Sequence, residues 1–527
     1  MPEVAEREAP RRVGRVGAGD VRAWISPTRS RPDRASADRC GPAPGVPRVW
    51  RVAHPRVCHD PDMLAPGIIR TERKPVRMRR LRVLCGTAAL ALTLPVLSSG
   101  QAAAAVPAYA VYLQNRTTGL NAADSGGTVA QHNPKGNEDH QQWLPVAVSG
   151  GYRLQNSDES GTCLGRSGTS AVTAACGADG TTWTITSAGD DTYTVGVPGT
   201  SQYLTGAADS TAVQLGPSGD LARWYLTPVD YATTAMPSAD TRRLDQVTFL
   251  TAHNAFANGA DGNFASFPVS LFPNQSRGIS RQLTDGVRGF MLDTYTVSGR
   301  AVLCHNSCSG VGSPVPLATD LQRIVDFLKA NPGQFAAVFL EDYVSSDVLK
   351  SSLASVNGLG DVLYRPDQEG VATKGWPAMA DLAARGKQLL VFSDRTRTGD
   401  AASGWTARDT FGVMYQREWT VENYWSMGSG IGSSDWSCYS RWGTARPLST
   451  DSAAFHPLFV MNHFRDATIG ATVTGDNGKL PNRAQKFCAP AARKKPNFLA
   501  VDRYDLGSPT PLTTVNALNT YILAPGQ

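Results

Sequence analysis

Residues 247–256 read VTFLTAHNAF, and this stretch decides how the larger part of the chain is read. A short apolar run rich in β-branched and aromatic residues predicts a buried strand, with the polar pair His253-Asn254 at its exit. The design recurs: GFMLDTY carries Asp293, AVLCH ends on His305, AAVFLED on Glu341-Asp342, LLVFSDR on Ser393-Asp394-Arg395, LFVMNHF reaches Asn462-His463, and NFLAVDRY reaches Asp502-Arg503. One histidine after a strand is ordinarily a hydrogen-bonded structural residue. A series of strands with polar exits describes a barrel, whose chemistry collects where its strands end. Helix-like stretches at 317–331 and 376–385 separate them, so the alternation predicts an α/β domain with parallel strands over residues 241–527.

A chain of 527 residues can bury at least two cores. Its 51 Lys+Arg against 45 Asp+Glu give +6, but 19 and 9 of these fall in the first 105 residues. Residues 106–527 therefore hold 32 and 36, a net of −4, and carry no clustered basic face of the kind nucleic acid requires. Residues 78–82 (MRRLR) form a basic start, 84–97 an apolar run, and 103–105 (AAA) a small-residue cleavage site. Together they predict a secretory signal peptide over 78–105. The run falls short of the ~20 apolar residues of a membrane span. Since such a signal acts at an N-terminus, Met78 is the expected start. Residues 1–77, rich in Arg and Pro and without hydrophobic period, read as a disordered or over-extended leader. Secretion permits disulfides among the six cysteines that follow, Cys163, Cys176, Cys304, Cys308, Cys438 and Cys488.

From residue 106 to 231 the composition turns to Gly, Ser, Thr and short aromatic strands, the pattern of a small all-β domain. Trp143, Trp183 and Trp224 recur at intervals of 40 and 41 residues and close three units of similar punctuation. The units resemble the Gln-x-Trp repeats of ricin-type β-trefoils, although only the first keeps Gln141 two residues before its tryptophan. The resemblance implies a disulfide between Cys163 and Cys176 and a glycan as partner. Asn121, Gly165 and Thr205 stand near the place where the family carries a sugar-binding Asp, so a spacer is the competing expectation. Residues 232–240 read as a linker, and the two domains as independent units.

The order of polar exits after the linker is similar to the X domain of phosphatidylinositol-specific phospholipase C, most clearly over residues 244–343. That resemblance implies a distorted TIM-like barrel and a phosphatidylinositol-containing membrane surface as substrate. It implies His253 as general base or phosphate ligand and His305 as general acid. A hydroxyl must lose a proton while an alkoxide gains one, and imidazole titrates in the right range. It further implies a Ca²⁺ site of Asn254, Asp293 and Glu341, oxygen donors that suit a hard cation, with Met291 where the eukaryotic pattern has Glu. Asp502 is read as the partner that orients His253, and Arg288, Arg395 and Tyr415 as substrate contacts. Cys304 and Cys308 bridge either each other or Cys438 and Cys488. A glycerophosphodiester phosphodiesterase and a non-catalytic secreted carbohydrate-binding protein are the rival readings.

Overall fold

The computed structural model describes residues 105–136, 138–261, 272–305, 308, 314–396 and 412–523. The expected leader and the expected signal peptide up to residue 104 lie outside them.

Residues 111–228 form a thirteen-stranded antiparallel sheet in which the first strand, Val111–Asn115, pairs with the last, Trp224–Pro228, closing the sheet on itself. Its core repeats three times. Trp143, Trp183 and Trp224 are fully buried, and each indole Nε1 donates to a carbonyl about twenty residues earlier: Ala122, Leu164 and Leu204, all at 2.9 Å. A buried indole N–H needs such a partner, so the spacing seen in the sequence is a packing and hydrogen-bonding rule. Cys163 and Cys176 are joined by a disulfide inside the second repeat.

The second domain carries eight parallel strands: β1 Phe249–Ala252, β2 Gly289–Val297, β3 Ala336–Asp342, β4 Leu389–Ser393, β5 Val413–Tyr415, β6 Thr420–Glu422, β7 Leu458–His463 and β8 Phe498–Val501. They pair in the order β5-β4-β3-β2-β1-β8-β7-β6, and among the described residues no pairing joins β5 to β6. The barrel is therefore open at one seam. Leu317–Ala330 is the helix expected after His305, and it buries Leu317, Leu321, Ile324, Val325 and Leu328 at helical spacing against the sheet.

Along the inward faces the side chains change character with height. Phe249, Phe339, Phe392 and Phe498 meet ring to ring with Phe335 inside, with centroids 5.0 to 5.5 Å apart. Since side chains on a strand alternate, the same faces two or four residues later present Glu341, Asp394, Asp502 and His253. An apolar plug thus supports a polar crown at the carboxyl ends of the strands.

Two expectations are corrected here. AVLCH does not form a barrel strand: Arg300–Leu303 turns back antiparallel to β2 through Ser298 and Gly299, both at positive φ, a two-residue hairpin turn. The stretch read as a linker contributes Thr233–Ala235, which pairs with the C-terminal strand Tyr521–Leu523. The trefoil and the barrel also pack against each other, the described residues from 105 onward falling in one compact unit. Gln114 of the trefoil donates to the Ala491 carbonyl at 2.9 Å, and the Arg493 guanidinium lies 3.6 Å over the Tyr225 ring.

Candidate active site

The polar crown opens into a cleft of about 340 Å³ lined by His253, His305, Asn254, Asp293 and Glu341 among others. His253 follows β1, and its Nδ1 lies 2.8 Å from Oδ1 of Asp502, which follows the adjacent strand β8. Asp502 is 1% exposed and is held in turn: Asn274 donates to Oδ1 at 3.0 Å and Thr468 to Oδ2 at 2.6 Å. Gln275 donates to the carbonyls of both His253 and Val501, at 2.8 and 2.9 Å, which ties the two strand ends together. The Phe464 ring stacks on the imidazole with centroids 3.5 Å apart and planes 5° from parallel. This fixes the ring and leaves Nε2 for a ligand. The residues after the pair, Asn254 and Arg503, have φ of +43° and +44°. Left-handed backbone is tolerated by asparagine and uncommon for arginine, so the chain bends sharply directly behind both members.

His305 reaches the cleft mouth on the return arm of the hairpin, beside a disulfide between Cys304 and Cys308. Loss of hydration holds its pKa below the usual histidine value, the charge of His253 adds to this, and Glu341 and Asp502 oppose it. The two histidines therefore sense each other across one cleft.

Asp293 on β2 stands beside Glu341 on β3 in register and is almost completely buried. Burial pushes its carboxyl well above the usual range, reinforced by the charges of Glu341 and Asp394. Asp394 is itself raised to about 6, chiefly by burial. The Tyr343 hydroxyl donates to Glu341. Asp293 makes no ion pair with a lysine or arginine among the described residues. Such a group of carboxylates, with buried Asn254 beside it, offers oxygen donors and uncompensated negative charge, which suits a hard divalent cation by type. Among the described residues no three His, Cys, Asp or Glu side chains are gathered closely enough to hold a metal by themselves. Water or substrate oxygen would have to complete the shell. Met291 lines the same cleft one inward position below Asp293.

The opposite wall comes from β6, β7 and the segment between them. Glu422 accepts from Asn462 Nδ2 and Gln416 Nε2, both at 2.8 Å, and from Arg441 Nη1 at 2.9 Å. The charge of Glu422 holds the Arg441 guanidinium firmly protonated, with further support from Asp394 and Glu341. Among the described residues the buried Asn462 Oδ1 has no hydrogen-bond partner, and Asn462 borders the cleft. Sequence reading missed Arg441, Gln416, Asn274 and Phe464, which sit in loops or short elements without a periodic signal. It named Asn462 only as a strand exit.

Several expected contacts lie elsewhere. Arg288 precedes β2 at the far end of the barrel, where it donates to Gln334 and to the carbonyls of Leu283 and Val287. Arg395 turns onto the Asp342 carbonyl at 3.4 Å and does not line the cleft. Tyr415 falls between Met414, which packs in the barrel interior, and Gln416, which faces the cleft, so alternation turns it away. His463 alternates outward in the same manner; burial drives its pKa down to about 3, and it contacts Asp476 and Arg483.

Comparison with known proteins agrees with this architecture. A family model described as PI-PLC X 1 matches residues 240–519, and one described as ricin-type beta-trefoil lectin domain-like matches 139–217. The chain belongs to the PI-PLC X family, with a ricin-type trefoil ahead of the barrel. The match runs well past residue 343, where the motif resemblance faded. A PI-PLC X domain-containing protein of Arabidopsis thaliana is 29% identical over 264 residues, 49% of this chain and 58% of that one. An uncharacterized secreted protein of Arthroderma benhamiae is 25% identical over 51% of this chain and 59% of its own length. The chain thus spans less than two thirds of these relatives. Among solved structures, a Staphylococcus aureus phosphatidylinositol-specific phospholipase C is 13% identical over 53% of this chain and 93% of its own (TM-score 0.34). A Macrolepiota procera ricin B-like lectin in complex with lactose is 23% identical over 23% of this chain and 96% of its own (TM-score 0.21).

Proposed function

We propose that the protein is a secreted phosphatidylinositol-specific phospholipase C that cleaves phosphatidylinositol to diacylglycerol and an inositol cyclic phosphate. One observation carries this reading: His253, held by Asp502, and His305 line a single cleft from different elements. His253 accepts the proton of the inositol 2-hydroxyl through Nε2. The oxygen attacks phosphorus, the phosphorus–oxygen bond to diacylglycerol breaks, and His305 gives its proton to the departing oxygen. Asp502 stabilises the imidazolium that forms. Glu422, Asn462, Gln416 and Arg441 present donors and acceptors to the ring hydroxyls, and the unpartnered Asn462 Oδ1 is an acceptor awaiting one. Asn254, Asp293 and Glu341 would hold Ca²⁺. When bound, the ion would supply positive charge to favour ionisation of the attacking hydroxyl and to offset charge developing on the phosphate.

The cleft supports an unphosphorylated headgroup. Asp293, Glu341, Asp394, Glu422 and Asp466 outnumber Arg441 and Arg465 along its walls, and Arg465 is paired with Asp476 at 2.6 Å. Extra ring phosphates would meet net negative charge. Export is supported by the three disulfides and by the relative described as secreted. The trefoil's likeness to lectins supports a glycan partner. Its expected positions lack a carboxylate: Asn121 donates to Gln141, and Thr205 donates to the Gln214 carbonyl.

The test is cleavage of phosphatidylinositol against glycerophosphoinositol by the wild type, His253→Ala and His305→Ala. Inositol cyclic phosphate from the first substrate, lost by roughly a hundred- to ten-thousandfold in each folded variant, is the expected outcome. Preference for glycerophosphoinositol selects the phosphodiesterase alternative, and wild-type inactivity on both leaves a carbohydrate-binding protein.

A further inference from the structure

The trefoil and the barrel line a second, open cavity of about 400 Å³, on the far side of the wall that carries Arg441. We propose that this cavity binds a neutral saccharide-sized ring. Asn133 and Asp209 enter from the trefoil, and Tyr424, Tyr439, Arg441 and Thr444 from the barrel segment between β6 and β7. The seam is firm. Cys438 N donates to the Pro134 carbonyl at 3.2 Å, Cys438 is bonded to Cys488, and a Cβ on Gly119 would lie 2.6 Å from Pro447.

Its lining matches a polyhydroxylated ring. Tyr424 is stacked between Tyr439 and Trp425, with centroids 5.4 and 5.5 Å apart, so the aromatic face offered to the C–H side of a pyranose or cyclitol is that of Tyr439. The carboxylate, the amide and the Thr444 hydroxyl serve its edge as donors and acceptors. The ligand is not an anion, because Arg441 is already paired with Glu422 at 2.9 Å and Asp209 adds a carboxylate that accepts from ring hydroxyls. The place differs from Asn121, Gly165 and Thr205, where the trefoil repeats would bind sugar. Arg441 borders both the cavity and the catalytic cleft, and Tyr424 stacks on Trp425, which lines the cleft. A ring bound here therefore sits against the wall of the cleft.

Binding is tested on the full chain by saturation-transfer NMR and calorimetry with methyl galactoside, methyl mannoside and myo-inositol, in wild type, Thr444→Trp and Asp209→Ala. Both positions are exposed, so both variants should fold. Wild-type binding that weakens tenfold or more in both variants is the expected result. No binding of any probe by the wild type, or binding unchanged in the variants, overturns the site. Cleavage assays then identify the source of the ring, an arm that rests on the phospholipase reading. Loss confined to inositol lipid carrying a glycan places the ring on the substrate. Unchanged cleavage of both lipids, with sugar binding lost, places it on a separate glycan. Wild-type inactivity on all lipids refutes the phospholipase reading while the binding result stands.

Discussion

Asp502→Asn isolates the charge behind His253. The substitution keeps volume at a residue 1% exposed and replaces the carboxylate 2.8 Å from Nδ1. When His253 takes the hydroxyl proton it becomes a cation, and a unit charge pair about 4 Å apart is worth about 4 kcal/mol at an effective dielectric of about 20. An amide N–H turned toward Nδ1 would also force the proton onto Nε2, the nitrogen that must accept. At about 1.4 kcal/mol per factor of ten, kcat should fall roughly a thousand- to ten-thousandfold with KM changed only a few fold. The assay is steady-state turnover of a water-soluble inositol phosphodiester, with folding checked by circular dichroism. Thr468→Val serves as the structural control, since it removes the 2.6 Å hydrogen bond to Oδ2 and keeps the charge. It should cost less than tenfold. A fall of less than tenfold in folded Asp502→Asn, or equal losses in both variants, would refute an electrostatic role for Asp502.

The acid limb of the mechanism sets a pH dependence: His305 must carry its proton, and burial holds its pKa below the ordinary value, so kcat/KM should decline as pH rises through a point below about 6.5. Glu341→Gln removes a charge that supports the protonated form and should move that limb further to acid; a wild-type limb above pH 7 contradicts the assignment. For calcium, chelator should abolish turnover, and Met291→Glu should lower the half-maximal concentration ten- to a hundredfold, a gain of about 1.4 to 2.7 kcal/mol; full turnover after exhaustive chelation removes the metal. Cys438 and Cys488 close a loop of sequence separation 50, so replacing both by serine should cost about 4 kcal/mol of stability in the chain-entropy account. The same change frees the segment that carries Arg441, and a denaturation midpoint and kcat both unchanged would count against it.

The sequence by itself determined the elements whose signals are local. Short continuous apolar runs located six of the eight barrel strands, and the indole spacing located the trefoil, because a strand buried on both faces carries its burial in its own residues. It also named both members of the His253–Asp502 pair and the acidic group of Asp293 and Glu341, each at a strand exit. What it did not contain was direction. Alternation sends Asp502 inward and His463 outward from equally promising motifs, and the strand start places Arg288 at the wrong end of the barrel. The two short strands Val413–Tyr415 and Thr420–Glu422 are too brief to show a period. Arg441 arrives from an irregular segment and gains its place only from Glu422, the disulfide to Cys488 and the trefoil packed behind it. Contacts between residues far apart in the chain leave no local pattern, so only the tertiary structure decided which polar groups share the cleft and that the trefoil forms part of its support.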